Sequence, residues 1–512
     1  MPSFVTHPWI NPGTIELRSY QENIVKMALT GNTLCVIPTG LGKTSIAAVV
    51  TAERLNKNMK GKILFLAPTK PLVNQHYRSF EKMLKLGLEM QVVTGESKAE
   101  ERFKLYKNVD IIFATPQTIG NDIKSGLLNL ADFSLVVFDE AHRCIGQYAY
   151  VYIAKHYIQN AKDPLILALT ASPGGQKYKI NQVRDQLFIK NIEIRTREDP
   201  DVKPYVQSVN NDWITVELPI PLKSVQTYLS IIKNSRIKKL MSWGVINSTM
   251  VNKTQLLRLQ ETLAKKKTGS AYGAMSLIAE IIKTDHALLL VETQCLSSLQ
   301  KYFEKVSAET TKASTRLLAD ENFKNAIRLT NELVEEGKEH PKLEKLKEIV
   351  TDELKNKDAR IIVFAQYRDT IAKISEVLSE IKGAAPVEFI GQAKKKGKGL
   401  SQKEQMQILN EFQMGFYNVL CASQVAEEGL DVVETNVVIF YEPTPSAIRK
   451  IQRSGRTART QTGKVVILIT KDTRDEAFHW SAHNKEKQMK KTLYDMQRGR
   501  GEIKQKSMGE FK

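Results

Sequence analysis

Cysteine is scarce and scattered: Cys35, Cys144, Cys295 and Cys421 form no CxxC pair and stand at no zinc-site spacing from histidine. That excludes a disulfide framework and a cysteine zinc site, and fits a reducing interior. Long apolar runs are also missing, none approaching the ~18 residues of a membrane span. The opening MPSFVTHPWINPG has no basic stretch followed by an apolar one, so no secretory signal is expected. A soluble, intracellular protein is the expectation. No solenoid-type repeat occurs. Acidic residues are in deficit, 56 against 75 Lys and Arg, for a formal charge of +19. That balance suits a surface that meets a polyanion.

What is present is ordinary globular composition, with 42% hydrophobic and 26% charged residues, so disorder is not expected. At 512 residues the chain exceeds one ordinary core and predicts two or three domains. From Thr33 to Asp139 and beyond, short β-branched runs alternate with helix-compatible stretches: TLCVIP, KILFLAP, MQVVTG, DIIFATP, LVVFDEAH, LILALTASP. This is the rhythm of a parallel sheet with both faces covered. It stops after Val216. From Leu222 to His340 there is no proline, and Leu, Lys, Glu, Ala and Gln dominate, which reads as a helical insertion. Beyond Pro341 the strands return as RIIVFAQ, PVEFIG, NVLCAS, NVVIFYEP and KVVILIT. The expected domains are thus 1–215, 222–340 and 341–485, with a basic tail at 486–512. That tail and the loop QAKKKGKGL (392–400) read as solvated faces or as phosphate contacts.

Ile37-Pro38-Thr39-Gly40-Leu41-Gly42-Lys43-Thr44 follows the run LCVI and leads into SIAAVVTAERL, the strand–loop–helix context of a phosphate loop. Its glycines let backbone N–H groups turn toward phosphate oxygens, Lys43 supplies a point charge, and the Thr44 hydroxyl is suited to magnesium. The generic pattern opens with Gly where this chain has Ile37. About a hundred residues on, Val136 to His142 (VVFDEAH) delivers two carboxylates at a strand's carboxyl end. Asp139 is placed to hold magnesium and Glu140 to polarise the attacking water.

These motifs resemble those of the superfamily 2 helicases of DEAD/DEAH-box type, and the likeness covers both strand-rich halves. It implies two RecA-like parallel-sheet lobes in tandem with a helical insertion between them, an α/β protein that uses ATP and Mg2+. Leu17 to Gln21 looks like the adenine-reading segment, implying that Gln21 bonds the base and Arg18 lies alongside. Thr39, Gly40 and Gly42 join Lys43 and Thr44 around the phosphates. Thr69 and Lys70, Thr94 and Gly95, and Thr115 and Pro116 look like strand-contacting motifs, suited to sugar–phosphate positioning. Each alone is also plain turn or cap chemistry. Thr170 and Ser172, with His142, resemble the elements that couple hydrolysis to movement. In the second half Gln366, Tyr367 and Ser423 fall at strand-contacting positions, and Gly429 and Asp431 at nucleotide-contacting ones. Gln452-Arg453-Ser454-Gly455-Arg456-Thr457-Ala458-Arg459 completes the set. Arg456 and Arg459, at i, i+3, share a face and can point at the γ-phosphate as arginine fingers.

Three stretches draw the resemblance toward the Hef and Fanconi anaemia group M helicase family: Ile37 to Thr44, Asp201 to Val206 (DVKPYV), and Phe440 to Arg449. It implies an ATP-dependent DNA helicase or translocase on forked or branched DNA, in replication-fork repair and recombination, with the insertion touching DNA. No ERKxxxD nuclease segment occurs before Lys512, so the motor alone is expected, with any cleavage left to a separate partner protein. Two rivals are a double-stranded RNA motor, set apart by its ATPase activators, and an ATP-switched binding clamp, set apart by phosphate release.

Overall fold

The computed structural model describes residues 3–173, 177–206, 209–266, 268–391, 399–423, 435–443 and 463–498. Two parallel sheets organise it. The first holds β1 (Thr33–Val36), β2 (Lys62–Leu66), β3 (Met90–Val93), β4 (Ile111–Ala114), β5 (Phe133–Phe138), β6 (Ile166–Thr170) and β7 (Asn191–Ile194), in the order β3-β4-β2-β5-β6-β1-β7. The second holds β8 (Val209–Val216), β9 (Ile361–Phe364), β10 (Pro386–Phe389), β11 (Val419–Ala422), β12 (Val437–Phe440) and β13 (Gly463–Thr470), in the order β10-β11-β9-β12-β13-β8.

Strand geometry explains why these runs are apolar throughout. Successive side chains point to opposite faces, so Leu34, Leu64, Ile112 and Val136 enter one core while Cys35, Phe65, Phe113 and Val137 enter the other. The second sheet divides likewise, Val363 and Ile439 on one side, Phe364 and Phe440 on the other. All four cysteines are buried and free.

Between the lobes lie α8 (Ile220–Ser242), α9 (Lys253–Ala264), α10 (Gly269–Thr293), α11 (Leu296–Ser307), α12 (Lys312–Ala319) and α13 (Glu321–Glu335), followed by α14 (Pro341–Glu353). The insertion has two cores. One, around Val225, Leu229, Val291, Phe303 and Phe323, lies at the end near the lobes; the other, around Leu240, Leu256, Leu263 and Leu277, lies at the far end. None of the described helices is long and apolar enough to cross a membrane.

Two expected boundaries move. The residues up to 215 do not all belong to the first lobe: β8 runs parallel to β13, from Val209 opposite Gly463 to Val216 opposite Thr470, at the edge of the second sheet. Exposure alternates along it, with Asn211, Trp213 and Thr215 exposed and Asp212, Ile214 and Val216 half-buried, because only one face of the strand packs on the core. Nor does a tail start at 486. A long helix, α17 (Arg474–Gln497), leaves the second lobe and returns to the first, where Met489 and Leu493 complete the core beside Tyr150 and Val183. Tyr494 Oη donates to Asp199 at 2.7 Å and Gln497 Nε2 to Glu193 at 3.1 Å. The expected tail beyond 498 and the basic loop at 392–398 lie outside the described residues.

The start of α17 is gripped from two sides. Arg474 binds Asp285 of α10 at 2.8 Å, and Asp475 meets Lys342 of α14 in an ion pair with both side chains fully buried. Asp475 also accepts from Thr470 N at 3.0 Å. Burial pushes the Asp475 carboxyl up, against the pull of Lys342. His340 next door is held down to about 3 by burial and by Lys342, so it is neutral and its Nδ1 caps α14 by accepting from Lys342 N. A buried charge stripped of its partner costs about 3–5 kcal/mol. Asp475→Asn is therefore expected to destabilise the protein by about that amount in urea unfolding. Lys342→Met combined with Asp475→Leu recovers most of it, and a neutral single variant would contradict the assignment.

Candidate functional site

Strand order decides which loops meet. β5, β6 and β1 are neighbours, so their carboxyl ends bring together the loop 37–42, Asp139 with Glu140, and Thr170 to Pro173. β3, β4 and β2 occupy the other half of the same edge and carry Thr94 and Gly95, Thr115 and Pro116, and Thr69 and Lys70. Ligands of open α/β sheets bind along such an edge.

The phosphate loop ends at α2 (Lys43–Lys57). Gly40 and Gly42 have φ of 87° and 77°, which side-chain-bearing residues rarely adopt. A Cβ at Gly42 would also stand 2.4 Å from Gln21 Nε2, so a larger residue there would displace the Gln21 amide. Lys43 Nζ donates to Ile37 O at 3.2 Å, folded back over the loop. The helix N-terminus and the loop N–H groups make an anion site. Thr39 Oγ1 and Thr69 Oγ1 are buried atoms with no hydrogen-bond partner among the described residues. Such orphans fit a polar ligand along this edge.

Gln21 and Arg18 sit at α1 (Ser19–Ala28) and its cap. Gln21 Nε2 donates to Leu41 O at 3.1 Å, and Tyr20 Oη to the same carbonyl at 2.9 Å, so the segment Leu17 to Gln21 braces the phosphate loop. Arg18 binds Glu16 at 2.7 Å and lies 5.7 Å over the Tyr205 ring. Tyr205 belongs to the DVKPYV stretch and packs 5.8 Å from Tyr20. That motif thus walls the segment, a role its sequence did not reveal.

Asp139 and Thr44 are joined by a residue the sequence did not nominate. His76, on α3 (Lys70–Met83), lies 2.8 Å from Asp139 Oδ2 through Nε2 and 3.4 Å from Thr44 Oγ1 through Nδ1. Its only sequence signal was a polar residue in the buried stripe Val73, His76, Phe80. Burial works against the Asp139 charge, but His76, Lys43 and the Glu140 N–H outweigh it and hold the carboxyl below its ordinary value. An ionised carboxylate beside a hydroxyl is hard-oxygen chemistry suited to magnesium. Groups that orient metal ligands are worth about 10- to 100-fold in metal affinity. His76→Ala is accordingly expected to weaken Mn2+ binding, followed by electron paramagnetic resonance, about tenfold. His76→Gln keeps most of it, and unaltered affinity in the alanine variant would remove His76 from the site.

Glu140 adopts φ 49°, ψ 49°, left-handed for a residue with a side chain. Strain of this kind persists where surrounding structure enforces it, here the turn Ala141–Arg143. His142 Nδ1 is 3.2 Å from both Glu140 Oε2 and Thr170 Oγ1. Thr170 Oγ1 accepts from Ser172 N at 3.1 Å, and Ser172 Oγ reaches Met489 Sδ at 2.9 Å. An unbroken line of contacts therefore runs from Glu140 to α17.

At the other half of the edge, Thr69 stands at the N-cap position of α3 with no capping bond from its side chain, and Lys70 pairs with Glu96 at 2.5 Å. Thr115 Oγ1 is 2.9 Å from Thr118 Oγ1, Pro116 opens α5 (Pro116–Lys124), and Gly95 lies against Thr118. In the second lobe Gln366 is exposed, its N–H donating to Glu442 at 2.5 Å. Ser423 N donates to Phe389 O at 2.9 Å. Tyr367 packs against the insertion core, 5.9 Å from His286, and so is only partly available to a strand. Gly429, Asp431, Gln452, Arg456 and Arg459 lie outside the described residues.

Two parallel sheets in tandem, one bearing a phosphate loop and a paired-carboxylate strand end, define a nucleoside-triphosphate-driven motor. Residues 18–180 match the family of DEAD/DEAH box helicases, 341–461 the helicase conserved C-terminal domain, and 221–337 the helical bundle of ATP-dependent RNA helicases. The solved helicase domain of Hef from Pyrococcus furiosus is 44% identical with a TM-score of 0.72, over 91% of this chain and 98% of that one. The ATP-dependent RNA helicase MJ1505 of Methanocaldococcus jannaschii is 43% identical over 96% of this chain and 63% of its own length. The Fanconi anemia group M protein homolog of Mus musculus is 32% identical over 93% of this chain and 26% of its own length. The ATP-dependent DNA helicase fml1 of Schizosaccharomyces pombe is 32% identical over 90% and 58%. The chain belongs to the Hef and Fanconi anemia group M family of DEAD/DEAH box helicases. It spans less than two thirds of each of these three full-length relatives.

Proposed function

We propose that the chain is an ATP-driven DNA translocase acting on forked or branched DNA, in replication-fork repair and recombination. The observation that carries this is the shared sheet edge: phosphate chemistry over β1, β5 and β6, strand-contact loops over β2, β3 and β4. Relatives named as DNA helicases and Fanconi anemia group M proteins support DNA as the track.

In this reading Lys43 and the loop N–H groups hold the triphosphate, with Thr39, Gly40 and Gly42 around it. Gln21 and Arg18 face the base. Thr44 and Asp139 are the residues that would hold magnesium, which neutralises phosphate oxygens when bound. Glu140 orients and deprotonates the attacking water. Gln452, Arg456 and Arg459, with Gly429 and Asp431, finish the site from the second lobe, so hydrolysis requires closure. His142, Thr170 and Ser172 carry the change from Glu140 toward α17. Thr69, Lys70, Thr94, Gly95, Thr115 and Pro116, with Gln366, Tyr367 and Ser423, grip the strand through its backbone.

A duplex-RNA motor is the second reading, favoured by the naming of the Methanocaldococcus relative as an RNA helicase. ATP hydrolysis measured with single strands, blunt DNA duplex, forks, four-way junctions and double-stranded RNA separates the two. Forked or branched DNA is expected to stimulate most; stimulation by duplex RNA alone would overturn the DNA assignment.

A further inference from the structure

The chain passes between the two sheets twice beside the segment Leu17 to Gln21, and the two passages are fastened to each other. On the outward passage β7 ends at Ile194 in the first sheet, and the next strand, β8, lies in the second. On the return α17 brings Tyr494 and Gln497 back to the first lobe. Tyr494 Oη lies 2.7 and 2.9 Å from the two carboxylate oxygens of Asp199. A hydroxyl donating to a carboxylate is among the stronger hydrogen bonds.

Asp199 is the hub of the outward passage. Its carboxylate also accepts from Thr196 N at 2.5 Å, and its carbonyl from Val202 N and Lys203 N at 2.9 Å each, which winds the turn that carries Asp201 to Tyr205. Val202 is buried in the first lobe. Asp201 accepts from Arg195 at 2.8 Å, and Arg195 donates at 2.9 Å to Glu193, which Gln497 also reaches. From this turn the contacts lead to the nucleotide side. Ser19 donates through Oγ to Asp201 O and through N to Tyr205 Oη, both at 3.4 Å. The Tyr205 ring backs Tyr20 and Arg18, and Tyr20 shares the Leu41 carbonyl with Gln21. Tyr494 is thus two steps, Asp199 and the turn it winds, from the residues proposed to face the base.

Docking α17 alone would need only apolar side chains, which Met489 and Leu493 supply. A hydroxyl aimed at a carboxylate fixes direction as well as contact, and its target here is the turn rather than the core. Hydrogen-bonded recognition demands that kind of support, because donors must be held within about 0.5 Å of their productive place. We propose that Tyr494 is a positioning residue for base recognition: through Asp199 it holds the Tyr205 wall behind Arg18 and Gln21. Selectivity for the nucleotide base then depends on a helix whose first turn is bound to α10 and α14. The inference rests on the assignment of Gln21 and Arg18 to the base in the reading above, and deepens it.

The test is steady-state hydrolysis of ATP and UTP, with forked DNA present, by the full chain and its Tyr494→Phe, Asp199→Asn and doubly substituted forms. Inorganic tripolyphosphate, which has no base, serves as a competing probe of the phosphate loop alone. Phenylalanine keeps the ring and removes one hydroxyl, so α17 stays docked. Tyr494→Phe is expected to cut the ATP-over-UTP ratio of kcat/KM by on the order of tenfold, through KM for ATP, with kcat held within about twofold. Inhibition by tripolyphosphate is expected to stay as in the parent. The double variant is expected to lose no more than the larger single loss, because both changes remove the same contact. An unchanged ratio, equal losses on ATP and UTP, weaker inhibition by tripolyphosphate, or losses that multiply in the double variant each overturn the proposal. A parent that hydrolyses ATP and UTP alike would instead sink the assignment of Gln21 and Arg18 to the base. A parent that prefers ATP beside an equally selective Tyr494→Phe sinks the positioning role alone.

Discussion

Lys43→Ala is expected to lower ATP turnover by on the order of a thousandfold, with affinity for forked DNA held within about twofold. The reasoning is local. Lys43 Nζ donates within its own loop to Ile37 O, while the loop's shape comes from Gly40, Gly42 and the two donors on Leu41 O. Alanine therefore removes the charge and leaves the cradle standing. The proposed strand contacts sit over β2, β3 and β4, on the other half of the edge, so grip on DNA has no reason to follow turnover down. Phosphate release and anisotropy on the same preparation measure both. Undiminished turnover would move the phosphate site elsewhere in the chain.

The second large effect concerns the far side of the nucleotide. Charge that develops on the transferring phosphoryl group is stabilised by arginine fingers, worth about 10³- to 10⁵-fold in rate in other NTPases. The residues proposed for catalysis on the described edge, Lys43, Thr44, Asp139 and Glu140, belong to the first lobe. The matching arginines, Arg456 and Arg459, fall within the stretch 341–461 that matches the helicase C-terminal domain. In the proposed reading closure is thereby a condition of catalysis rather than a consequence of it.

α17 gives that closure a mechanical setting. Its first turn is bound to α10 and α14 through Arg474 and Asp475, and its last turns lie in the core of the first lobe. Met489 touches Ser172, the end of the contact line from Glu140. The helix thus ties the insertion, the second sheet and the hydrolysis site into one connected structure.

How much of this the sequence disclosed depends on what each residue had to bury. Strands covered on both faces declared themselves as unbroken apolar runs: KILFLAP became β2, LVVFDEAH β5 and KVVILIT β13. The edge strands β7 and β8 did not, because NIEI and VNNDWITV are half polar. α17 was hidden differently. Met489 and Leu493 stand i, i+4 in the stretch KEKQMKKTLYDM, whose lysines read as a solvated tail, and only the first lobe's unfilled core explains them. At the candidate site, the phosphate loop and carboxylate pair were legible because backbone chemistry dictates their residue types and spacing. His76 was not, since its two partners lie 32 and 63 residues away. Gln21 was legible as a residue but not in its bond to the Leu41 carbonyl, which depends on how α1 docks beside the loop.

A nucleotide site begun on one lobe and finished by the other is tested most directly by Arg456→Ala, with ATP binding and phosphate release measured on the same protein in the presence of forked DNA. Binding is expected to stay within a few-fold of the parent while release falls by about 10³ to 10⁵. Phosphate release at the parent's rate, with binding intact, would contradict a site completed by the second lobe.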